Sequence, residues 1–96
     1  MTAYIIVNYN ITDPDKFGEY LAVAPGALKV GEVSVPLVLD SESETLEGTP
    51  GHQTVMLQYE SAEAARSVWE SGEYRAVIGL RHDATDNHFA VMVKGL

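Results

Sequence analysis

The residues best suited to handling a small molecule gather in one stretch, ESAEAARSVWESGEYRAVIGLRHDA, residues 60–84. Trp69 offers a flat face for stacking, Tyr74 a hydroxyl, Arg81 a planar cation that pairs with oxyanions, and His82 an imidazole that titrates near neutrality. Upstream, Asn8 in a strand pattern and Tyr20 in a helix pattern add polar groups to the same set. Such a set suits a small anionic or phenolic compound: Trp69, Arg81, Asn8 and Tyr20 would bind it, with Tyr74 and His82 as the catalytic candidates. Each residue also has an ordinary structural reading. Large aromatics at helical spacing pack in cores, so Trp69 and Tyr74 are equally core anchors. Arg81 lies one turn from Val77 and Ile78 on an apolar face, so its head meets a structural carboxylate, an anionic ligand or solvent. A buried Asn8 needs partners, supplied by a pocket or by a dimer contact. The Tyr20 hydroxyl falls on the core face of its helix and needs a ligand or a backbone group there.

Other chemistries are excluded more sharply. The glycines do not fall into a phosphate-binding pattern, there is no G-x-S-x-G elbow, and the absence of cysteine removes thiolate catalysis and Cys-ligated zinc. Of the three histidines, His52 opens a strand, while His82 and His88 flank DATDN; the spacing H-D-x-x-D-x-H matches no rigid metal-ligand pattern. No metal and no cofactor are expected, and His82, beside Arg81, is the favoured acid/base among the histidines.

The net charge is −8, from 14 acidic and 6 basic side chains, and the basic residues never cluster. Phosphate backbones and anionic lipid surfaces need concentrated Lys and Arg, so nucleic acid and membrane are not expected partners. The first residues, MTAYIIVNYNITDPDKF, hold one short apolar run and no basic leader, and no stretch approaches the ~20 apolar residues of a membrane span. A soluble, cytoplasmic protein with one domain over residues 1–96 is expected. A chain of this length buries roughly 60–70% of its unfolded surface, so its core is thin and a partner subunit would help.

The elements that must position these side chains are legible in the pattern. AYIIVNYNI, residues 3–11, reads as a strand with Asn8 and Asn10 on one face and Val7, Tyr9 and Ile11 on the other. TDPDKFGEYLAVAPGALKVG begins a helix, with Thr12 or Asp13 as N-cap and Pro14 in the first turn, and Pro25-Gly26 should kink or interrupt its end. EVSVPLVLDS has strand composition, but Pro36 requires an edge or a bulge. After an acidic loop at 42–51, HQTVMLQYE alternates as a third strand, with Gln53, Val55, Leu57 and Tyr59 on one face. Ser61 caps AEAARSVW, the helix should break at Ser71-Gly72, and Ser71 can cap a second segment carrying Tyr74, Val77, Ile78 and Arg81. HFAVMVKGL is the last strand.

The resulting β-α-β-β-α-β order is the ferredoxin-like α+β pattern, a four-stranded antiparallel sheet with both helices on one face. The uncovered face would be a large patch, which a second copy is expected to cover. AYIIVNYNITDPDKFGEYLA, LEG at 46–48, SAEAARSVWESGEYRAVIGLR at 61–81 and the closing FAVMVKG resemble the domain of unknown function 1330 family, over roughly two-thirds of the chain. The chain departs from that family between Ala24 and Thr45, where a Gly-Gly turn and an arginine often stand and the corresponding VGEVSVPLVLDSES has one glycine and no arginine. The resemblance implies a dimeric α+β barrel, a homodimer joined through the open sheet face, and a pocket between helices and sheet near Trp69 and Tyr74. Related families on this barrel include cofactor-independent monooxygenases, lactone isomerases and haem-dependent enzymes, so the fold does not select a reaction. The expectation is a small-molecule-binding homodimer, as a cofactor-independent enzyme of monooxygenase or isomerase type or as a non-catalytic ligand-binding or accessory dimer.

Overall fold

In a computed structural model of residues 1–96 the chain runs β1 (Ala3–Ile11), α1 (Pro14–Ala27), β2 (Val35–Asp40), β3 (Gln53–Tyr59), α2 (Ala62–Trp69), α3 (Gly72–Ala84) and β4 (Thr85–Lys94). The strands form one antiparallel sheet in the order β2-β3-β1-β4. This is the ferredoxin-like arrangement, with its second helix divided in two as the Ser71-Gly72 break foretells.

Period-two alternation assigns each face of β1 a separate task. Ala3, Ile5, Val7 and Tyr9 point into the core with Leu57 and Tyr59 of β3, beneath Phe17, Tyr20 and Ala24 of α1, Ala65 and Val68 of α2, and Tyr74 and Ile78 of α3. The opposite face carries Tyr4, Ile6 and Asn8, paired in register with Val93, Val91 and Phe89 of β4, and no helix covers it. Phe89, Val91 and Val93 are exposed there, as is Val35 on the edge strand β2.

Local chemistry sets the element ends. Asp13 is extended and its carboxylate accepts the Lys16 N–H at 3.1 Å, with Pro14 beginning α1. Contrary to the expected interruption, α1 continues through Pro25 to Ala27. Pro25 sits exposed in the last turn, between buried Ala24 and exposed Gly26, so its missing N–H removes one bond near the helix end. Pro36 lies on the edge strand, at a register shift between Pro36 and Val38, where its missing donor leaves no ladder position empty. β4 starts at Thr85, earlier than the apolar pattern suggests. Its first residues pair with the end of β1 across a register shift, with Asn87 in the left-handed region at φ 49°.

The end of the acidic loop is fastened to β1 by the Asn8 side chain, while Asn87 donates from Nδ2 to the Thr49 carbonyl at 2.8 Å. Asn8 is buried, donates from Nδ2 to the Gly51 carbonyl at 3.1 Å and to Thr54 Oγ1 at 3.0 Å, and accepts the Gly51 N–H at 2.6 Å. The amide thus satisfies both backbone groups of Gly51. Gly51 in turn must be glycine, because an added Cβ would overlap the backbone of Tyr9 and Asn10. Asn8→Ala should cost about 1–3 kcal/mol in thermal unfolding by stranding the buried Gly51 groups. Gly51→Ala should unseat the loop and lower the melting temperature further. Wild-type melting in either variant would overturn this reading of the Asn8–Gly51 contact.

Candidate functional site

α3 presents Tyr74, Ile78 and Arg81 on one buried face, at i, i+4 and i+7. α2 ends at Trp69, and Ser71 holds the break: its Oγ donates to the Val68 carbonyl at 2.7 Å and accepts the Tyr74 N–H at 3.2 Å. This turn sets the Trp69 and Tyr74 rings 5.0 Å apart at 45°. Arg75 fastens them from outside, its Nε donating to the Trp69 carbonyl at 3.0 Å and its guanidinium 5.5 Å from each ring centroid.

Under these helices lies a cavity of about 170 Å³, apolar over most of its wall, between α1, α3 and the β1–β3–β2 half of the sheet. Its polar groups are Tyr9, Tyr20, Tyr74, Gln53 and Arg81, with Trp69 on its rim of aromatic wall. Arg81 is 2% exposed, yet its Nε and Nη1 have no hydrogen-bond partner. No carboxylate pairs with it either; the one ion pair of the chain joins Lys29 to Glu73 at 3.1 Å. The guanidinium instead lies 5.5 Å from the Tyr9 ring centroid and 6.0 Å from that of Tyr20. The hydroxyls of Tyr20 and Tyr74 are 2.7 Å apart. One donates to the other, which leaves one O–H of the pair free to donate into the cavity.

Burial, the dominant cause, raises both cavity tyrosines that shift. Tyr9 is pushed up to about 12, opposed by the Arg81 charge and by the neighbouring Gln53 side chain. Tyr20 goes higher still, with Tyr74 adding to the effect and Arg81 opposing it. Both are neutral O–H donors at neutral pH, and nothing in the cavity wall takes up a proton there.

Among the residues singled out by sequence, Trp69, Tyr74, Arg81 and Tyr20 therefore meet around one cavity. Asn8 does not line it; it faces the other side of the sheet and binds the Gly51 loop. His82 is also outside it, exposed on α3 with its ring stacked on His88 at 4.9 Å and 16°. Gln53 and Tyr9 escaped the sequence-based set. Gln53 carried a legible signal, as the one amide on the apolar face of β3 beside Val55, Leu57 and Tyr59. No cluster of three or more His, Cys, Asp or Glu is placed to hold a metal ion, and no helix is long and apolar enough to cross a membrane.

The family model described as Domain of unknown function (DUF1330) matches residues 2–96. The chain belongs to this family. No curated protein matches its sequence at a significant level. Among solved structures, this DUF1330 chain is similar to the RPA0582 protein of unknown function from Rhodopseudomonas palustris, at 12% identity and TM-score 0.76, covering 99% of this chain and 82% of that one. It is similar to a dimeric ferredoxin-like protein of unknown function from Thermobifida fusca, at 12% identity and TM-score 0.67, covering 99% and 92%. It also resembles SnoaB, a cofactor-independent oxygenase from Streptomyces nogalater, at 8% identity and TM-score 0.71, covering 99% and 93%. At these identities the likeness is one of fold.

The histidine pair of the DUF1330 chain lies on the outer side of the α3 end that carries Arg81. Partial desolvation of its ring lowers the His82 pKa below its ordinary value, helped by the charges of Arg81, His88 and Arg75 and opposed by Asp83. A depressed imidazole pKa means the unfolded chain takes up the proton first. The contribution of His82 to stability is therefore present above about pH 6.5 and is lost as pH falls through its lower folded value. His82→Asn should flatten the melting temperature between about pH 7 and pH 5, and an unchanged slope would exclude His82 as its source.

Proposed function

We propose that the chain binds a small, singly charged anion with one ring or an equally compact apolar body in the cavity around Arg81, as a homodimer joined through the open sheet face. The observation that carries the reading is Arg81 itself, a buried guanidinium with no counter-charge and unpartnered Nε and Nη1. Leaving a charge so placed costs several kcal/mol unless something pairs with it, and apolar side chains of similar volume would fill the space at less cost. A ligand oxyanion answers that need, with the free tyrosine O–H as a second donor. Size agrees: an engineered cavity of about 150 Å³ holds benzene, which makes about 170 Å³ suitable for one ring with small substituents.

Because the wall holds no base, the ligand arrives already ionised, as a carboxylate, enolate or acidic phenol. This favours recognition of an anion over a reaction begun by proton removal. Where a reaction follows, Arg81 and the tyrosine hydroxyls stabilise negative charge on the bound compound. That is a requirement of cofactor-independent oxygenation and of isomerisation through an enolate. SnoaB, described as a cofactor-independent oxygenase, shares this fold and so lends the enzymatic version its precedent. Trp69 and Tyr74 orient the ring, and Tyr20 fixes the Tyr74 hydroxyl.

The dimer reading rests on the bare sheet face, where Phe89, Val91, Val93 and Val35 are exposed beside Tyr4 and Ile6, and on the Thermobifida fusca protein, described as dimeric with this fold. Two copies placed sheet to sheet cover both patches with one two-fold axis. Light scattering at micromolar concentration should return a dimer, and Val91→Glu a folded monomer; a monomeric wild type would sink the interface.

Arg81→Met separates the anion site from a structural cation. With benzoate as probe and fluorescence of Trp69, the only tryptophan, as readout, the variant should lose binding by at least tenfold. It should also melt several degrees higher, since an unpaired buried charge has been replaced by an apolar chain. Undiminished benzoate binding together with a lower melting temperature would assign Arg81 a structural role instead.

A further inference from the structure

We infer that the compound bound in this cavity is a hydroxylated ring carboxylate, its carboxylate on Arg81 and its hydroxyl donating to Oε1 of Gln53. The inference rests on the anion-site reading above and adds the part of the ligand that the cation does not specify. Gln53 is 5% exposed, and its Oε1 is buried with no hydrogen-bond partner. Its place is fixed by the sheet: Gln53 pairs in register with Tyr9 on β1, and both side chains line the cavity with Arg81.

The unmet groups of the wall form a pattern. On the donor side stand Nε and Nη1 of Arg81, the one spare proton of the Tyr20–Tyr74 hydroxyl pair and the Tyr9 hydroxyl beside the Gln53 amide. Of the acceptors in the wall, the one buried without any partner is Oε1 of Gln53. A simple carboxylate satisfies the donors, but at neutral pH it brings no hydrogen of its own and leaves the buried carbonyl stranded. A ligand whose ring carries both a carboxylate and an O–H satisfies both sides at once, and a site built this way rejects the analogue that lacks the hydrogen.

The amide also sits on the face of β3 where the alternation otherwise supplies Val55, Leu57 and Tyr59, each apolar or, for Tyr59, bonded to the Leu28 carbonyl at 3.1 Å. The Gln53 side chain is a hydrogen-bonding neighbour of Tyr9, which leaves its buried Oε1 without a partner. A hydrogen bond from a ligand accounts for that unsatisfied oxygen. Cavity volume restricts the body to one ring, as above.

The test is calorimetric titration of the wild-type protein with benzoate, 3- and 4-hydroxybenzoate, and the matching 3- and 4-fluorobenzoates, which are close in size and cannot donate. One hydroxybenzoate should bind at least tenfold more tightly than its fluoro counterpart. In Gln53→Met, which keeps an unbranched side chain of similar length, that preference should fall to within about twofold while benzoate binding remains. In Gln53→Glu the added carboxylate supplies Arg81 with a counter-charge, so every benzoate should be expelled and the melting temperature should rise. This second variant keeps the inference falsifiable should the first fail to fold; hydroxybenzoate bound to it at wild-type affinity would overturn the proposal. Equal affinities for hydroxy and fluoro compounds, with benzoate still lost in Arg81→Met, would overturn the hydroxyl assignment and leave the anion site standing. No binding of any of these carboxylates to the wild type would overturn both.

Discussion

A cation buried without a counter-charge is the constraint around which the helix side of this sheet is organised. The chain holds 14 acidic side chains, and not one of them is buried, so the core offers Arg81 no partner of opposite sign. What surrounds the guanidinium instead is aromatic: the Tyr9 ring at 5.5 Å and the Tyr20 ring at 6.0 Å give it the negative faces of two π systems. Such contacts offset part of the desolvation cost and leave the planar N–H groups unmatched. The same tyrosines pay a related penalty in their own ionisation, because burial holds Tyr9 and Tyr20 protonated. Cation, rings and hydroxyls therefore stand together, placing positive potential and O–H donors on one largely apolar wall.

The interruption between α2 and α3 is a geometric necessity for that unit. In one unbroken helix, residues five apart lie about 140° around the axis from each other, so Trp69 and Tyr74 would face different surroundings. The Ser71-Gly72 turn resets the helix direction, and the two rings meet at 5.0 Å. Ser71 satisfies backbone groups on both sides of the break, with bonds to the Val68 carbonyl and the Tyr74 N–H. The turn is thereby a fixed joint with its hydrogen bonds complete. Once Tyr74 is fixed, the helical period delivers Ile78 and then Arg81 to the same side with no further device.

How much of this was legible in the sequence depends on the range of the interactions involved. Strand alternation, the Asp13 and Ser71 caps, the edge position of Pro36 and the break at Ser71-Gly72 are written in neighbouring residues, and they give the ferredoxin-like order directly. Tyr20, Tyr74 and Arg81 fall on buried helical faces by the same local rule. Asn8 leaves a pocket and a dimer contact both open in the sequence, because the partner of its amide, Gly51, is 43 residues away in a loop whose path no periodicity describes. His82 was drawn toward the site by its adjacency to Arg81, yet one residue is about 100° of helix, enough to turn its ring outward onto His88. Gln53 stood in plain view on an apolar strand face, but its importance depends on an unfilled hydrogen bond, which a linear pattern does not express.

Strand β1 is where the two faces of the sheet come together. Its odd positions, Ile5, Val7 and Tyr9, form the floor of the Arg81 cavity, while Tyr4 and Ile6 between them belong to the bare face with Val93 and Val91 opposite. A one-residue slip in its pairing would exchange the two sets, placing Tyr9 in the open and Asn8 in the core. The Asn8 amide works against such a slip. Its bonds to Gly51 and Thr54 form only when Asn8 lies opposite Thr54, the register in which Tyr9 also lies opposite Gln53. The residue that sits outside the cavity thus helps to fix which side chains line it. A contact on the open face of the sheet helps set the register that brings Tyr9 and Gln53 together beneath the guanidinium.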